Sequence, residues 1–183
     1  MKNKKEKLMP SYDKCKITII GLGYVGLPLA IEFGKKFTCI GYDTNPKRIK
    51  QLKQANDITR EINRDEIKKS KKLQFSNNIN DIDKSDFFII TVPTPIFKSN
   101  KPDLSFISKA TKEVAKFIKK GSIVIYESTV YPGLIEDFCG SMIERISKYS
   151  LNKDFYLGYS PERINPGDKK HKLTKIVKVT SGS

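Results

Sequence analysis

Gly21, Gly23 and Gly26 stand at the spacing Gly-x-Gly-x-x-Gly, directly after the apolar run Lys16-Ile17-Thr18-Ile19-Ile20. A second apolar run, Phe37-Thr38-Cys39-Ile40-Gly41-Tyr42, ends in Asp43, 22 residues beyond Gly21. Each of these residue types has a job in holding a dinucleotide. Gly21 permits a tight strand-to-helix turn, Gly23 lets backbone approach a pyrophosphate, and Gly26 lets the helix pack close to the strand. The helix that follows offers unsatisfied N–H groups and a partial positive charge to the phosphates. Asp43 can accept both hydroxyls of an adenosine ribose and would repel a 2′-phosphate, so the expected cofactor is NAD rather than NADP. A lone glycine fingerprint is a weak signal, because glycine turns are common. The acid at the end of the second run sets it apart from a plain βαβ turn.

The elements that must position these residues follow from patterning. Strands are expected over 16–20, 37–42, 73–75, 87–92, 122–126, 155–159 and 175–179. Helices are expected over 24–33, with Pro28 near the start, and from Pro46, which can open a helix at its first turn, to about 54. Asn63 and Glu66 form a capping box for a short helix ending near Lys69. A helical turn covers 79–83. After the proline-rich loop 93–102, Asp103 caps a helix that ends before Gly121. Its apolar face runs through Leu104, Ile107, Thr111, Val114 and Ile118 at spacings of three and four. A further helix covers 133–148. Strand and helix alternate throughout, which predicts a single-domain α/β fold: a doubly wound, mainly parallel, Rossmann-like sheet.

Composition bounds the rest. A chain of 183 residues with 38% hydrophobic and 30% charged content can build one real core, here over 14–183 behind a charged tail at 1–13. No apolar stretch approaches bilayer length, and no signal-peptide apolar region follows the basic N-terminus, so no membrane is expected and cytoplasm is the default. Three cysteines without CxxC spacing fit a reducing compartment and suggest neither a disulfide framework nor a metal site. The net charge of +15 raises nucleic acid as a partner, but the lysines are spread through every helix rather than gathered in a patch. A solvated lysine face, suited to an anionic dinucleotide and an anionic substrate, is the expectation; nucleic acid is not.

Open α/β sheets bind ligands beyond the carboxyl ends of their strands. Three unusual loops lie there: Val92-Pro93-Thr94-Pro95, Glu127-Ser128-Thr129-Val130-Tyr131-Pro132-Gly133, and Ser160-Pro161-Glu162-Arg163-Ile164-Asn165-Pro166-Gly167-Asp168. Each alone could be a turn, since Pro, Gly, Ser and Asn dominate turns for geometric reasons. Together they place a polar site beside the dinucleotide.

With the fingerprint Gly-Leu-Gly-Tyr-Val-Gly-Leu-Pro-Leu-Ala, these loops resemble the UDP-glucose/GDP-mannose dehydrogenase family, in order and spacing, from about Cys15 to the last residue. The nearest branch is the UDP-N-acetylhexosamine 6-dehydrogenases of bacterial capsule and O-antigen synthesis. The resemblance implies an NAD-dependent oxidoreductase that oxidises C6 of a UDP-sugar twice, to the uronic acid, with a cysteine holding the aldehyde and then a thioester. Thr129 matches the threonine that positions the reacting oxygen or its water. Glu162 matches the glutamate that assists thioester hydrolysis as a general base. Besides the glycines, Tyr24, Val25, Asp43, Arg48, Thr94, Ser128 and Thr129 fall at cofactor-contact positions, with Arg48 expected against the adenine or its ribose. Arg163 and Asn165 stand where the UDP-glucose branch is apolar, which implies polar contacts to an N-acetylated or acidic sugar. Thr129 could instead satisfy backbone groups at a strand end, and Glu162 could cap a turn. His171 is expected to anchor its loop through a hydrogen bond.

The family's nucleophile lies in a Gly-x-Cys or Gly-His-Cys segment, which this sequence does not contain. Cys15, Cys39 and Cys139 read instead as small buried hydrophobes. The family's central helix, which builds its homodimer, and its C-terminal UDP-binding domain also have no counterpart here. The chain is therefore expected to be the first domain of a longer enzyme, folding and binding NAD without turning over a UDP-sugar. The alternative is a free-standing dinucleotide-binding module without catalysis.

Overall fold

The computed structural model describes residues 10–11, 14–163 and 177–183. Its sheet has seven strands in the order β3-β2-β1-β4-β5-β6-β7. They are β1 (Lys16–Ile20), β2 (Thr38–Tyr42), β3 (Leu73–Ser76), β4 (Phe87–Ile90), β5 (Ile123–Tyr126), β6 (Tyr156–Tyr159) and β7 (Ser181–Gly182). All neighbours pair parallel except β6 and β7, which are antiparallel. The order reverses between β1 and β4, the point at which a doubly wound sheet opens a crevice for a ligand. The expected α/β architecture is observed.

Strand alternation sorts the core into two layers, because successive side chains point to opposite faces. Ile17, Ile19 and Ile89 pack with Leu27, Ile31, Ile49 and Leu52 on one face. These come from α1 (Gly26–Lys36) and α2 (Pro46–Lys53). Ile20, Phe88 and Ile90 pack with Ile107, Val114 and Ile143 on the other. Those belong to α4 (Ser105–Ala115) and α5 (Ser141–Ser147). Asn63 and Glu66 form the expected capping box at the start of α3 (Arg64–Lys69). Thr18 is buried among apolar neighbours at no polar cost, because its hydroxyl bonds that of Ser85 at 2.7 Å.

Several boundaries differ from the sequence reading. The expected helix over 133–148 begins with a π-helical stretch, Leu134–Gly140, and only then becomes α5. Its buried residues Leu134 and Cys139, and Ile135 and Gly140, lie five apart, a spacing that i→i+5 turns stack on one face. The helix α4 starts two residues after Asp103, whose carboxylate accepts the Ser105 N–H at 2.9 Å. In place of the closing strand expected over 175–179, the described residues 177–180 are irregular, and Ser181–Gly182 pairs antiparallel with β6. Cys15, Cys39 and Cys139 are all buried, and burial pushes the Cys39 thiol up to about 12. No helix of the described residues is long and apolar enough to cross a membrane.

Candidate functional site

The chain leaves β1 through Gly21, whose φ of 94° is open to glycine at little cost. The Gly21 N–H donates to the Tyr42 carbonyl at 2.9 Å, and its own carbonyl accepts the Thr91 hydroxyl at 2.7 Å. Gly26 then passes so close to the turn that an added Cβ would lie 1.9 Å from the Gly21 carbonyl oxygen and 2.3 Å from Thr91 Oγ1. Gly23 is the opposite case. A Cβ there would meet nothing within 4 Å, so the backbone at this point borders open space.

Helix α1 begins behind that open space with no side chain capping it and no acid in its first turn. The Leu27 N–H is taken by the Gly23 carbonyl at 3.1 Å and Pro28 has none, so it is the turn leading into the helix that can face an anion, and the helix dipole favours one there. Tyr24 is 42% exposed at the turn. Val25 is buried in the core, so only its backbone can face a ligand.

Asp43 sits half-buried just past β2, its Oδ2 accepting the Leu22 N–H at 2.9 Å and its Oδ1 the Asn45 N–H at 2.9 Å. The carboxylate is thereby aimed before any ligand arrives. The Asn45 side chain in turn accepts from the N–H groups of Lys47 and Arg48 and caps α2.

Arg48, expected against the adenine or its ribose, makes its observed contacts with the protein itself. Its side chain is buried beneath the turn, and both Nε and Nη2 donate to the Leu22 carbonyl, at 3.0 and 2.9 Å. Its Nη1 pairs with Asp57 Oδ1 at 2.7 Å, and the Asp57 side chain is wholly buried. Leu22 is therefore gripped at its N–H by Asp43 and at its carbonyl by Arg48. Asp57 and Thr91 are members of this assembly that the sequence reading missed. Thr91 carried a faint signal as the one polar residue in the apolar run 87–92, and Asp57 carried none.

Burial by itself would raise the pKa of Asp57. Hydrogen bonds from Thr59, from Arg48 and from the Ile62 and Thr59 N–H groups outweigh it, and the carboxyl titrates below its ordinary value of 3.8. A group with a lowered folded pKa contributes stability above its unfolded value, and that stability is lost as pH falls through the folded value. Urea unfolding of the unmodified chain should therefore show stability falling as pH drops below about 3.8. Asp57→Asn should be less stable at neutral pH, and its deficit should shrink through that acid range. A deficit constant with pH would show that the Asp57 charge contributes nothing.

The polar loops meet at the carboxyl ends of β4 and β5. Thr94 donates its hydroxyl to the Thr129 carbonyl at 2.8 Å, and buried Ser128 donates to the Val92 carbonyl at 2.7 Å. These bonds tie the two loops together and leave Thr129 exposed at their rim. Glu127 lies buried beneath, paired with Lys178. Burial raises its pKa, Lys178 opposes that, and the nearby charge of Glu162 adds to it. Glu162 is half-buried, with Oε1 accepting the Arg163 N–H at 2.7 Å, and Arg163 is exposed. Asn165 and His171 lie outside the described residues. Among the described residues no cluster of His, Cys, Asp or Glu could hold a metal ion.

Residues 15–183 match the model of the UDP-glucose/GDP-mannose dehydrogenase family, NAD binding domain. The chain is 53% identical over 168 residues to a UDP-N-acetyl-D-glucosamine 6-dehydrogenase of Pseudomonas aeruginosa, covering 92% of this chain and 40% of that protein. It is 51% identical to the protein CapL of Staphylococcus aureus, covering 91% of this chain and 39% of that one. Among solved structures, the UDP-D-ManNAc dehydrogenase of Pyrococcus horikoshii superposes with a TM-score of 0.82 at 34% identity, over 91% of this chain and 41% of that chain. The chain thus spans about 40% of the length of the curated relatives it matches.

Proposed function

Since the chain belongs to the UDP-glucose/GDP-mannose dehydrogenase family, as its NAD-binding domain, we propose that it serves a UDP-N-acetylhexosamine 6-dehydrogenase. The reaction would take the sugar alcohol at C6 to the uronic acid for bacterial surface polysaccharide. One observation carries the cofactor part: the open side of Gly23 lies before an uncapped α1 N-terminus, with Asp43 held beside the same turn. These residues fit a dinucleotide. Backbone N–H groups of Gly23, Tyr24 and Val25, on the turn opened by Gly21 and Gly26, would hold the pyrophosphate, and Asp43 the adenosine ribose. Arg48 contributes through the turn it holds. Bound NAD supplies the hydride acceptor.

The loops supply the rest. Thr94, Ser128 and Thr129 form the rim on the nicotinamide side, where the Thr129 hydroxyl positions the reacting oxygen. Glu162 acts as the general base toward water, and Arg163 and Asn165 face the sugar. The substrate class is supported by the 53% identity to a relative named for UDP-N-acetyl-D-glucosamine. In the same reading the protein works in the cytoplasm, the longer enzyme is a homodimer, and nucleic acid is not a partner.

Calorimetric titration of this chain with NAD and with NADP tests the cofactor assignment. NAD is expected to bind, and NADP at least about 100-fold more weakly, because its 2′-phosphate meets the Asp43 carboxylate at a cost of several kcal/mol. Equal binding of the two would overturn the role of Asp43, and binding of neither would overturn the site.

A further inference from the structure

We propose that Asp57 is a positioning residue of the dinucleotide site, aiming the Arg48 guanidinium at the Leu22 carbonyl so that the phosphate-binding turn keeps its shape. The proposal rests on the NAD reading above and adds a residue outside the fingerprint and the polar loops.

One peptide unit, Leu22–Gly23, sets the face of the turn. In a trans peptide the C=O and the following N–H point in opposite directions. No described peptide bond is cis. With the Leu22 carbonyl turned inward onto two guanidinium donors, the Gly23 N–H of the same unit must point away from Arg48. Rotation of that unit would bring the carbonyl, a negative dipole end, to the face meant for an anion. Glycine at position 23 makes such a rotation sterically cheap, so the turn's own backbone cannot prevent it. The Arg48 fork, at 3.0 and 2.9 Å, is what opposes it.

The fork needs an anchor of its own. Asp57 Oδ1 accepts Arg48 Nη1 at 2.7 Å, with the Thr59 hydroxyl at 2.7 Å and the Thr59 N–H at 3.1 Å. Its Oδ2 accepts the N–H groups of Glu61 and Ile62, both at 3.0 Å. Five donors converge on one carboxylate whose side chain is fully buried. The irregular segment between α2 and α3 is thus wound around Asp57, and the guanidinium is locked between that hub and Leu22. A buried, bidentate arginine of this kind is not interchangeable with lysine, which offers a point charge and no planar fork.

Positioning and simple electrostatics predict opposite results, which makes the proposal testable. Removing the Asp57 charge leaves Arg48 with more net positive field behind the turn, which alone would tighten an anion. Loss of aim would loosen it. For Asp57→Asn and Arg48→Lys, checked by circular dichroism to be folded, NAD and ADP-ribose should each bind about tenfold more weakly than to the unmodified chain. Adenosine, which carries no phosphate, should compete as before. Thr59→Val removes the hydroxyl that donates to Asp57 at 2.7 Å and accepts from Arg48 Nη2 at 3.5 Å, while leaving the Arg48–Asp57 pair in place; it should weaken NAD in the same direction by a smaller factor and covers the case in which the charged variants fail to fold. NAD binding that is unchanged or tighter in Asp57→Asn, or unchanged in Thr59→Val should that variant fail to fold, would overturn the proposal. So would an equal loss for adenosine, which would make Arg48 a direct adenosine ligand or the effect a general loosening. If the unmodified chain binds no NAD, the cofactor reading fails instead, before any variant is compared.

Discussion

Gly26→Ala is expected to destabilise the fold by about 3 kcal/mol or more, the upper end of what overpacking costs, and to abolish NAD binding. The added methyl would sit 1.9 Å from the Gly21 carbonyl oxygen and 2.3 Å from Thr91 Oγ1. Neither atom can give way freely. Gly21 is bonded through its N–H to Tyr42, and Thr91 donates to both the Ile20 and Gly21 carbonyls. Relief requires α1 to move off β1, which breaks the layer formed by Leu27, Ile31, Ile19 and Ile89. A total stability of 5–15 kcal/mol, typical of a domain, leaves little margin for that loss. The urea midpoint should fall with no change in slope. Gly23→Ala is the control. Its Cβ meets nothing within 4 Å, so the fold should be unaffected while NAD affinity drops, because the methyl occupies the space the pyrophosphate needs. Unchanged NAD binding in Gly23→Ala would place the phosphates elsewhere.

For Asp43→Ala, NAD affinity should fall by about 100-fold and the preference over NADP should collapse. The carboxylate has two duties in this structure. It accepts the Leu22 and Asn45 N–H groups at 2.9 Å each, and in the proposed complex it accepts the ribose hydroxyls. Hydrogen bonds to a charged partner contribute about 1.5–3 kcal/mol each, so losing the ribose pair alone accounts for a factor of this size. NADP, which the carboxylate repels, should lose far less or gain. Asp43→Asn separates charge from shape. It keeps one acceptor oxygen but no charge, so NAD should weaken moderately while discrimination against the 2′-phosphate disappears. If Asp43→Asn still rejects NADP, the preference arises from the shape of the pocket rather than from repulsion.

What could be read from the residues in order was whatever depends on near neighbours. The glycine spacing, the acid after the second strand, the Asn63–Glu66 box and the apolar runs of β1, β4 and β5 all act within a few positions. Hydrogen-bond geometry and side-chain periodicity decide them locally, and the doubly wound sheet follows from their alternation. Even the π-helical start of the 134–147 segment, unexpected in the sequence, is written in buried pairs five apart. The assembly around Leu22 is of another kind. Asp43 reaches it across 21 positions, Arg48 across 26, and Thr91 reaches Gly21 across 70. Lys178 meets Glu127 across 51. Such pairs exist only because the strand order sets β2 and β4 on either side of β1 and returns the chain to the sheet beyond β6. Spacing alone therefore presented Arg48 as a residue turned toward the ligand. Only the tertiary structure showed its guanidinium turned inward, where it supplies the Leu22 carbonyl with two donors and pairs its charge with the buried Asp57 carboxylate.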